Sequence, residues 1–213
     1  MLIEKDIPPA PEHVVAAFTS RAILTVVLVF IDIARFSITT RGMNGGAMLD
    51  FVEAYYKTVI PKIYQHHGEV EKVMGDGIIA VFGPPFGDGG DSALRDAEDC
   101  CGEVIDLLHD SNKAVKCALH QGDVVYYPLS VDGYTEATMV GEAITELYRL
   151  ESVAKKNAIA FYADTRYEQL KERDIEGFKR RGGGRAEWIV TKGTAVQLPG
   201  VGFDSVRYRK LNV

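Results

Sequence analysis

Two aspartates stand at positions where a carboxylate is either costly or conspicuous. Asp32 closes a very apolar run, Ile23 to Ile33, and Asp76 lies between two glycines in Gly75-Asp-Gly77. A lone carboxylate buried at the end of such a run forfeits several kcal/mol of hydration, so the position asks for a partner or an exposed strand end. If the strand that carries Asp32 lies beside the segment around Asp76, both carboxylates meet at one end of a sheet. Converging carboxylates are oxygen donors suited to Mg²⁺ or Mn²⁺ carrying a nucleoside triphosphate. Each residue alone has a plainer reading, because a strand-end Asp is often a helix cap and Asp-Gly is first a turn former. Their juxtaposition is what would make a site.

The other chemistry-bearing residues read as structural. Cys100, Cys101 and Cys117 cannot all pair and lack metal-ligand spacing, so they are expected as reduced core thiols. His66 and His67 precede Gly68 and read as capping or exposed residues, and His120 as a structural hairpin residue.

The elements that must position the aspartates follow from periodicity. Leu24 to Ile31 is β-branched and aromatic, a strand covered on both faces. From Ala47 to about His67, Met48, Phe51, Val52, Tyr55, Val59, Ile60 and Ile63 recur at helical spacing, with Pro61 expected to kink or break the helix. Glu69 to Met74 and Ile78 to Phe82 read as strands of a hairpin around Gly75-Asp-Gly77. A helix is expected from about Ser92 to Leu108, and a second hairpin from Ala114 to Leu119 and Val124 to Tyr127 around Gln121-Gly-Asp123. A helix from Val140 to about Ala154, a strand from Ile159 to Tyr162, a short helix from Thr165 to Lys171 and edge strands at Trp188 to Val190 and Val206 to Tyr208 complete the order. That order predicts an α+β fold, a mixed sheet with helices, rather than a doubly wound sheet.

With 213 residues and no composition break, the chain reads as one domain, 1–213, with its core from about 24 and a short extension over 1–23. A net charge of −6 with interspersed signs argues against a broad nucleic-acid or anionic-membrane surface. Its longest apolar run falls short of the roughly 20 residues a spanning helix needs, and the N-terminus lacks a signal-peptide layout. A soluble, cytoplasmic protein is the expectation.

Four segments carry a family resemblance. Val29-Phe-Ile-Asp-Ile-Ala-Arg-Phe-Ser37 resembles the first motif of class III adenylate and guanylate cyclases, F-x-D-I-x-G-F-[ST], and Lys72-Val-Met-Gly-Asp-Gly-Ile-Ile-Ala-Val-Phe82 resembles the second, K-x-x-G-D-x-x-x-A-x-F. Val115-Lys-Cys-Ala-Leu-His-Gln-Gly-Asp-Val124 is similar to V-x-x-G-x-H-x-G-x-V, and Gly141-Glu-Ala-Ile-Thr-Glu-Leu-Tyr-Arg-Leu-Glu-Ser152 to the helix G-x-x-V-N-x-A-x-R-L-x-S. They occur in the family's order and spacing over roughly Leu24 to Tyr162. The resemblance implies a cyclase-like mixed sheet flanked by helices on a ferredoxin-like core, working as a head-to-tail homodimer. It implies that Asp32, Ile33 and Asp76 hold two divalent ions, Mn²⁺ or Mg²⁺. Amides from Ile33 to Phe36 would cradle phosphates, Lys72 and Thr138 would read the base, and Arg149 would neutralise the α-phosphate. Lys192 would reach the phosphates on a looser alignment.

Three departures bear on the substrate. Arg35 replaces the first motif's glycine, Thr145 the asparagine that orients the ribose, and Leu147-Tyr148 small residues before Arg149. Ribose orientation is part of catalysis, so losing the asparagine puts ordinary purine cyclisation in doubt. Lys72 and Thr138 suit either adenine or uracil. With no sensor or membrane region expected, the chain looks like the pyrimidine cyclases of bacterial anti-phage defence (the Pycsar systems). UTP is the favoured substrate and cyclic UMP, acting on a separate effector, the product. The alternatives are a cytidylate cyclase, a conventional adenylate cyclase and a degenerate cyclase-like dimer that only binds nucleotide.

Overall fold

A computed structural model of the chain describes residues 10–180, 188–190 and 193–211. In chain order the elements are α1 (Glu12–Thr19), β1 (Ile23–Ile33), α2 (Phe36–Thr39), α3 (Gly45–Gln65), β2 (Gly68–Met74), β3 (Gly77–Phe82), α4 (Asp91–Leu108), β4 (Val115–Val131) and β5 (Tyr134–Val140). α5 (Glu142–Ser152), β6 (Ala158–Tyr162), α6 (Arg166–Arg180), β7 (Trp188–Val190), β8 (Thr194–Ala195) and β9 (Ser205–Leu211) follow. The strands form one sheet in the order β2-β3-β1-β4-β6-β9-β7, with β5 on β4 and β8 on β9. Only the β4–β6 pair is parallel, so the expected mixed α+β sheet is present.

β1 lies inside this sheet and is covered on both sides, which accounts for its unbroken apolar sequence. Val27, Val29, Ile31 and Ile33 face one layer with Phe51, Tyr55, Val59 and Ile63 of α3 and Leu94, Ala97 and Cys101 of α4. Val26, Leu28 and Phe30 face the opposite layer with Ala143, Leu147 and Leu150 of α5. All three cysteines are free and buried, as expected. Among the described residues, no helix is long and apolar enough to cross a membrane.

Several elements depart from the sequence reading. The expected hairpin around Gln121-Gly-Asp123 is absent, because β4 runs unbroken from Val115 to Val131. The turn comes later, at Asp132-Gly133, where both residues have positive φ (43° and 86°) as a two-residue type I′ loop requires. Gly122 serves close approach instead, since a Cβ there would lie 2.7 Å from the Cβ of Ala143. Gly141, at the start of α5, lies against the β4 backbone, as a Cβ there would sit 2.5 Å from the Asp123 carbonyl oxygen.

Pro61 neither breaks nor ends α3, which continues to Gln65. Pro61 and Lys57, whose carbonyl loses its helical donor, both lie on the exposed side, where water can satisfy that carbonyl. The 1–23 extension contains a helix, α1, which buries Val14 and Ala17 and sets Phe18 edge-on to Tyr126 at 4.9 Å. Eight residues are too few for helical periodicity to declare itself. The helix expected over Thr165 to Lys171 extends to Arg180, and β9 lies between β6 and β7 rather than at an edge.

The Gly122–Ala143 contact predicts that Gly122→Ala lowers the urea midpoint by the equivalent of about 1–3 kcal/mol, with m unchanged. In a double-mutant cycle, Ala143→Gly recovers part of that loss. A cost at 122 that ignores residue 143 would mean the glycine serves its own backbone conformation instead.

Candidate active site

Antiparallel pairing sets Asp32 of β1 opposite Gly77 of β3 on one side and Lys116 of β4 on the other. Asp76, in the two-residue turn before Gly77, is thereby brought to the end of β1, as the sequence reading required. Gly77 permits the approach, since a Cβ there would lie 2.5 Å from the Phe30 ring and 3.4 Å from Asp32 Oδ1. Helix α3 braces both sides of the junction. The buried Tyr55 hydroxyl donates to the Ile31 carbonyl at 3.0 Å, and the Tyr56 hydroxyl donates to the Gly75 carbonyl.

The charges at this junction are not balanced. Burial first, and then the Asp76 carboxylate, push the Asp32 carboxyl up to about 7, outweighing the opposing pull of Lys116. Lys116 Nζ sits 3.2 Å from Asp32 Oδ2 and also pairs with Glu151 of α5. The tyrosines feel the same field: after burial and Cys117, both Asp32 and Asp76 raise Tyr55, and after burial Asp76 raises Tyr56. Lys116 and Glu151 were not singled out from the sequence. Lys116 alternates onto the Asp32 face of a neighbouring strand, a relation visible only once the register is known.

This donor set fits a divalent cation. Among the described residues, no three His, Cys, Asp or Glu side chains gather into a metal cage. Two carboxylates with a nearby main-chain carbonyl are nonetheless the donors with which proteins hold Mg²⁺ shared with substrate phosphates. A cation would also offset the burial and the Asp76 repulsion that raise the Asp32 carboxyl.

The remaining predicted residues are placed differently from one another. On α5, Ala143, Leu147 and Leu150 are buried, while Thr145 and Arg149 are exposed one turn apart. The Arg149 carbonyl accepts from the Ser152 hydroxyl at 2.6 Å, while its guanidinium makes no hydrogen bond or ion pair among the described residues. Tyr148 sets its ring edge-on to Phe30 at 5.6 Å, with its hydroxyl 3.4 Å from the Met74 sulfur. It thus bridges α5 to the strand that leads into Asp76.

Lys72 is exposed on β2, where a bulge at Glu71 shifts the register between Val70 and Lys72. Burial first, and then the Glu136 carboxylate of β5, raise Glu71, and Thr138 lies two residues beyond Glu136 on the same strand.

Arg35 takes a left-handed conformation (φ 63°, ψ 33°) that glycine would adopt without strain. Phe36 packs toward Phe51, with ring centroids 6.2 Å apart. The expected amide cradle shortens, because β1 pairing extends to Ile33 and the Ala34 amide donates to the Ala114 carbonyl at 2.9 Å. The amides of Arg35 and Phe36 would remain as its donors. Lys192 lies outside the described residues. His120 is buried in mid-strand rather than at a turn, and His66 pairs with Glu103 at 2.7 Å.

No family profile matches the chain. Among curated proteins, an uncharacterised protein of Mycobacterium tuberculosis is 25% identical over 132 residues, covering 61% of this chain and 23% of its own length. The chain therefore spans about a quarter of the length of such relatives. Solved structures match more fully. The adenylyl cyclase CyaB from P. aeruginosa superposes with a TM-score of 0.72 at 15% identity, covering 90% of this chain and 96% of that one. The guanylate cyclase domain of RhGC from Catenaria anguillulae, in complex with GTP, gives 0.70 at 16% identity over 88% and 96%. The guanylyl cyclase Cya2 gives 0.66 at 20% identity over 90% and 94%. The chain has the fold of class III nucleotide cyclase catalytic domains.

Asp32 yields a pH prediction. A carboxyl raised from 3.8 to about 7 on folding adds stability below pH 4 that is lost as pH rises through 7. In metal-free protein, Asp32→Asn raises the melting temperature at pH 8 by several degrees, at roughly 2–4 °C per kcal/mol, raises it less at pH 5, and brings no gain below about pH 4. A lower melting temperature at pH 8 would show that the Lys116 pair outweighs desolvation.

Proposed function

We propose that this chain is a nucleotide cyclase converting UTP to 3′,5′-cyclic UMP and pyrophosphate. The observation that carries the reading is the register that sets Asp32 beside Gly77 and so beside Asp76, within a nucleotide cyclase fold. Asp32, the Ile33 carbonyl and Asp76 would hold two divalent ions, Mn²⁺ or Mg²⁺. Bound there, such ions supply countercharge to the triphosphate and acidity to the ribose 3′-hydroxyl. The ribose 3′-hydroxyl gives its proton to water as its oxygen bonds to the α-phosphorus, the bond from the α-phosphorus to the oxygen bridging to the β-phosphate breaks, and pyrophosphate leaves with that electron pair.

The chain's own residues supply the rest. The amides of Arg35 and Phe36 and the Arg35 guanidinium bind phosphate oxygens, with Lys192 as a further cation. Arg149, exposed and unpaired on α5, meets charge developing on the α-phosphate. Thr145, one turn earlier, orients the ribose, and Lys72 with Thr138 reads the base. Because Lys72 and Arg149 both face solvent in one protomer, a head-to-tail homodimer with two composite sites completes the arrangement. The chain is one such domain, working in the cytoplasm, with its cyclic nucleotide a second messenger for a separate effector in anti-phage defence.

Uracil is favoured by Tyr148. Its ring against Phe30 and Met74 adds bulk beside Thr145, which suits a smaller base. Lys72 and Thr138 alone would serve adenine equally well.

The test incubates purified protein with each of the four ribonucleoside triphosphates and Mn²⁺ and identifies products by mass spectrometry. Cyclic UMP should dominate, and Asp32→Ala should abolish it while leaving the dimer intact. Cyclic AMP from ATP alone would sink the pyrimidine assignment, and no cyclic product from any triphosphate would sink the cyclase reading. Tyr148→Ala should raise the ATP-to-UTP rate ratio about tenfold or more. An unchanged ratio would remove Tyr148 from base selection.

A further inference from the structure

A buried polar contact joins the sheet to α5 directly beneath its exposed residues. His120 of β4 is 3% exposed and its Nε2 lies 2.8 Å from Oε2 of Glu146, itself 12% exposed. Glu146 is held at a second point, because its main-chain carbonyl accepts a hydrogen bond from the Tyr162 hydroxyl of β6 at 2.8 Å. Aromatic rings enclose the imidazole. Tyr162 stands edge-on to it at 5.3 Å, Phe203 does so at 5.6 Å, and Phe203 stacks on Tyr162 at 4.4 Å. The polar contact of the ring is Glu146.

The other anchors of α5 do a different job. Ala143, Leu147 and Leu150 pack against the sheet through apolar contact, which is non-directional. The glycine approaches at 122 and 141 set how close the helix comes and where it starts. The rotation of the helix about its own axis is held by directional contacts: Glu151 with Lys116, the Tyr148 hydroxyl with the Met74 sulfur, and the buried pair at Glu146, which lies closest in sequence to Thr145. The hydrogen bonds at residue 146 are directional, and 146 adjoins Thr145 and precedes Arg149 by less than one turn. A carboxylate this dry must keep its donor or turn toward water, and turning would carry Thr145 and Arg149 with it.

We propose that His120 is a positioning residue, fixing through Glu146 the rotation of α5 at which Thr145 and Arg149 face the nucleotide, an inference that rests on the cyclase reading of α5. His120 itself touches no substrate. The pair is made by two residues far apart in sequence, and neither aspartate takes part in it.

The test compares wild type with His120→Leu, which removes the donor, and His120→Gln, whose amide can donate at the reach of Nε2. Rates are measured in the four-triphosphate assay at a temperature where circular dichroism shows every variant folded. His120→Leu should lower kcat about 30–100-fold while KM moves less than about threefold, since misplacing reacting groups by an ångström costs on that order. His120→Gln should return kcat to within about fivefold. Amide hydrogen exchange gives a readout independent of turnover. Peptides covering 142–152 should exchange at least about tenfold faster in His120→Leu, recover in His120→Gln, and leave β1 unchanged. Full kcat in His120→Leu, no recovery in His120→Gln, or unaltered exchange of α5 would each overturn the proposal. If wild type turns over none of the triphosphates, the cyclase reading fails, and hydrogen exchange alone decides whether His120 holds α5.

Discussion

Everything at the site depends on the pairing of β1 with β3 and β4 in a register that leaves a carboxylate partly dehydrated between a turn Asp and a lysine. A slip of β1 by one residue would send Asp32 to the opposite face of the sheet, away from Lys116. The register is protected by the core, because the same slip would move Val26, Leu28 and Phe30 out of one hydrophobic layer and Val27, Val29 and Ile31 out of the other. The burial that makes β1 stable is therefore also what desolvates Asp32 and lifts its carboxyl to about 7. Core packing and site chemistry share one cause.

The second constraint is the close seating of α5. Glycines at 122 and 141 let the helix approach β4, Tyr148 ties it to Phe30 and Met74, and Glu151 reaches Lys116. The helix that bears Thr145 and Arg149 is thus connected to the aspartates through side chains on both its flanks. On the far layer, Tyr55 and Tyr56 of α3 hold the strand end and the turn by their main-chain carbonyls. The site sits where these two layers meet the end of the sheet.

Much of this was legible from residue type and spacing, and the failures are instructive. The apolar run before Asp32, the helical repeat from Met48 to Ile63 and the Gly75-Asp-Gly77 turn each carry their own local signal, and each appears where expected. Gln121-Gly-Asp123 misled because glycine has two uses, and here it makes room for Ala143 rather than turning the chain. The true turn, Asp132-Gly133, bears the usual type I′ pair but lies within a sequence of mixed polarity that hid β5. Lys116, Glu151 and the His120–Glu146 pair were invisible because each is a long-range contact set by strand register and helix rotation. Local sequence does not encode such relations. The Ala34 amide was misassigned for the same reason, since its partner is Ala114, eighty residues away.

On the proposed function, Asp32 and Asp76 act as one cation site. Electron paramagnetic resonance of Mn²⁺ in the presence of a non-cyclisable triphosphate analogue measures this directly, by the loss of the free-ion signal on titration with protein. If the two carboxylates share the site, Asp32→Ala and Asp76→Ala each remove most of the bound Mn²⁺, and the double variant loses little more. Losses that add independently, or Mn²⁺ binding that survives both substitutions, would mean that the two carboxylates do not share a cation.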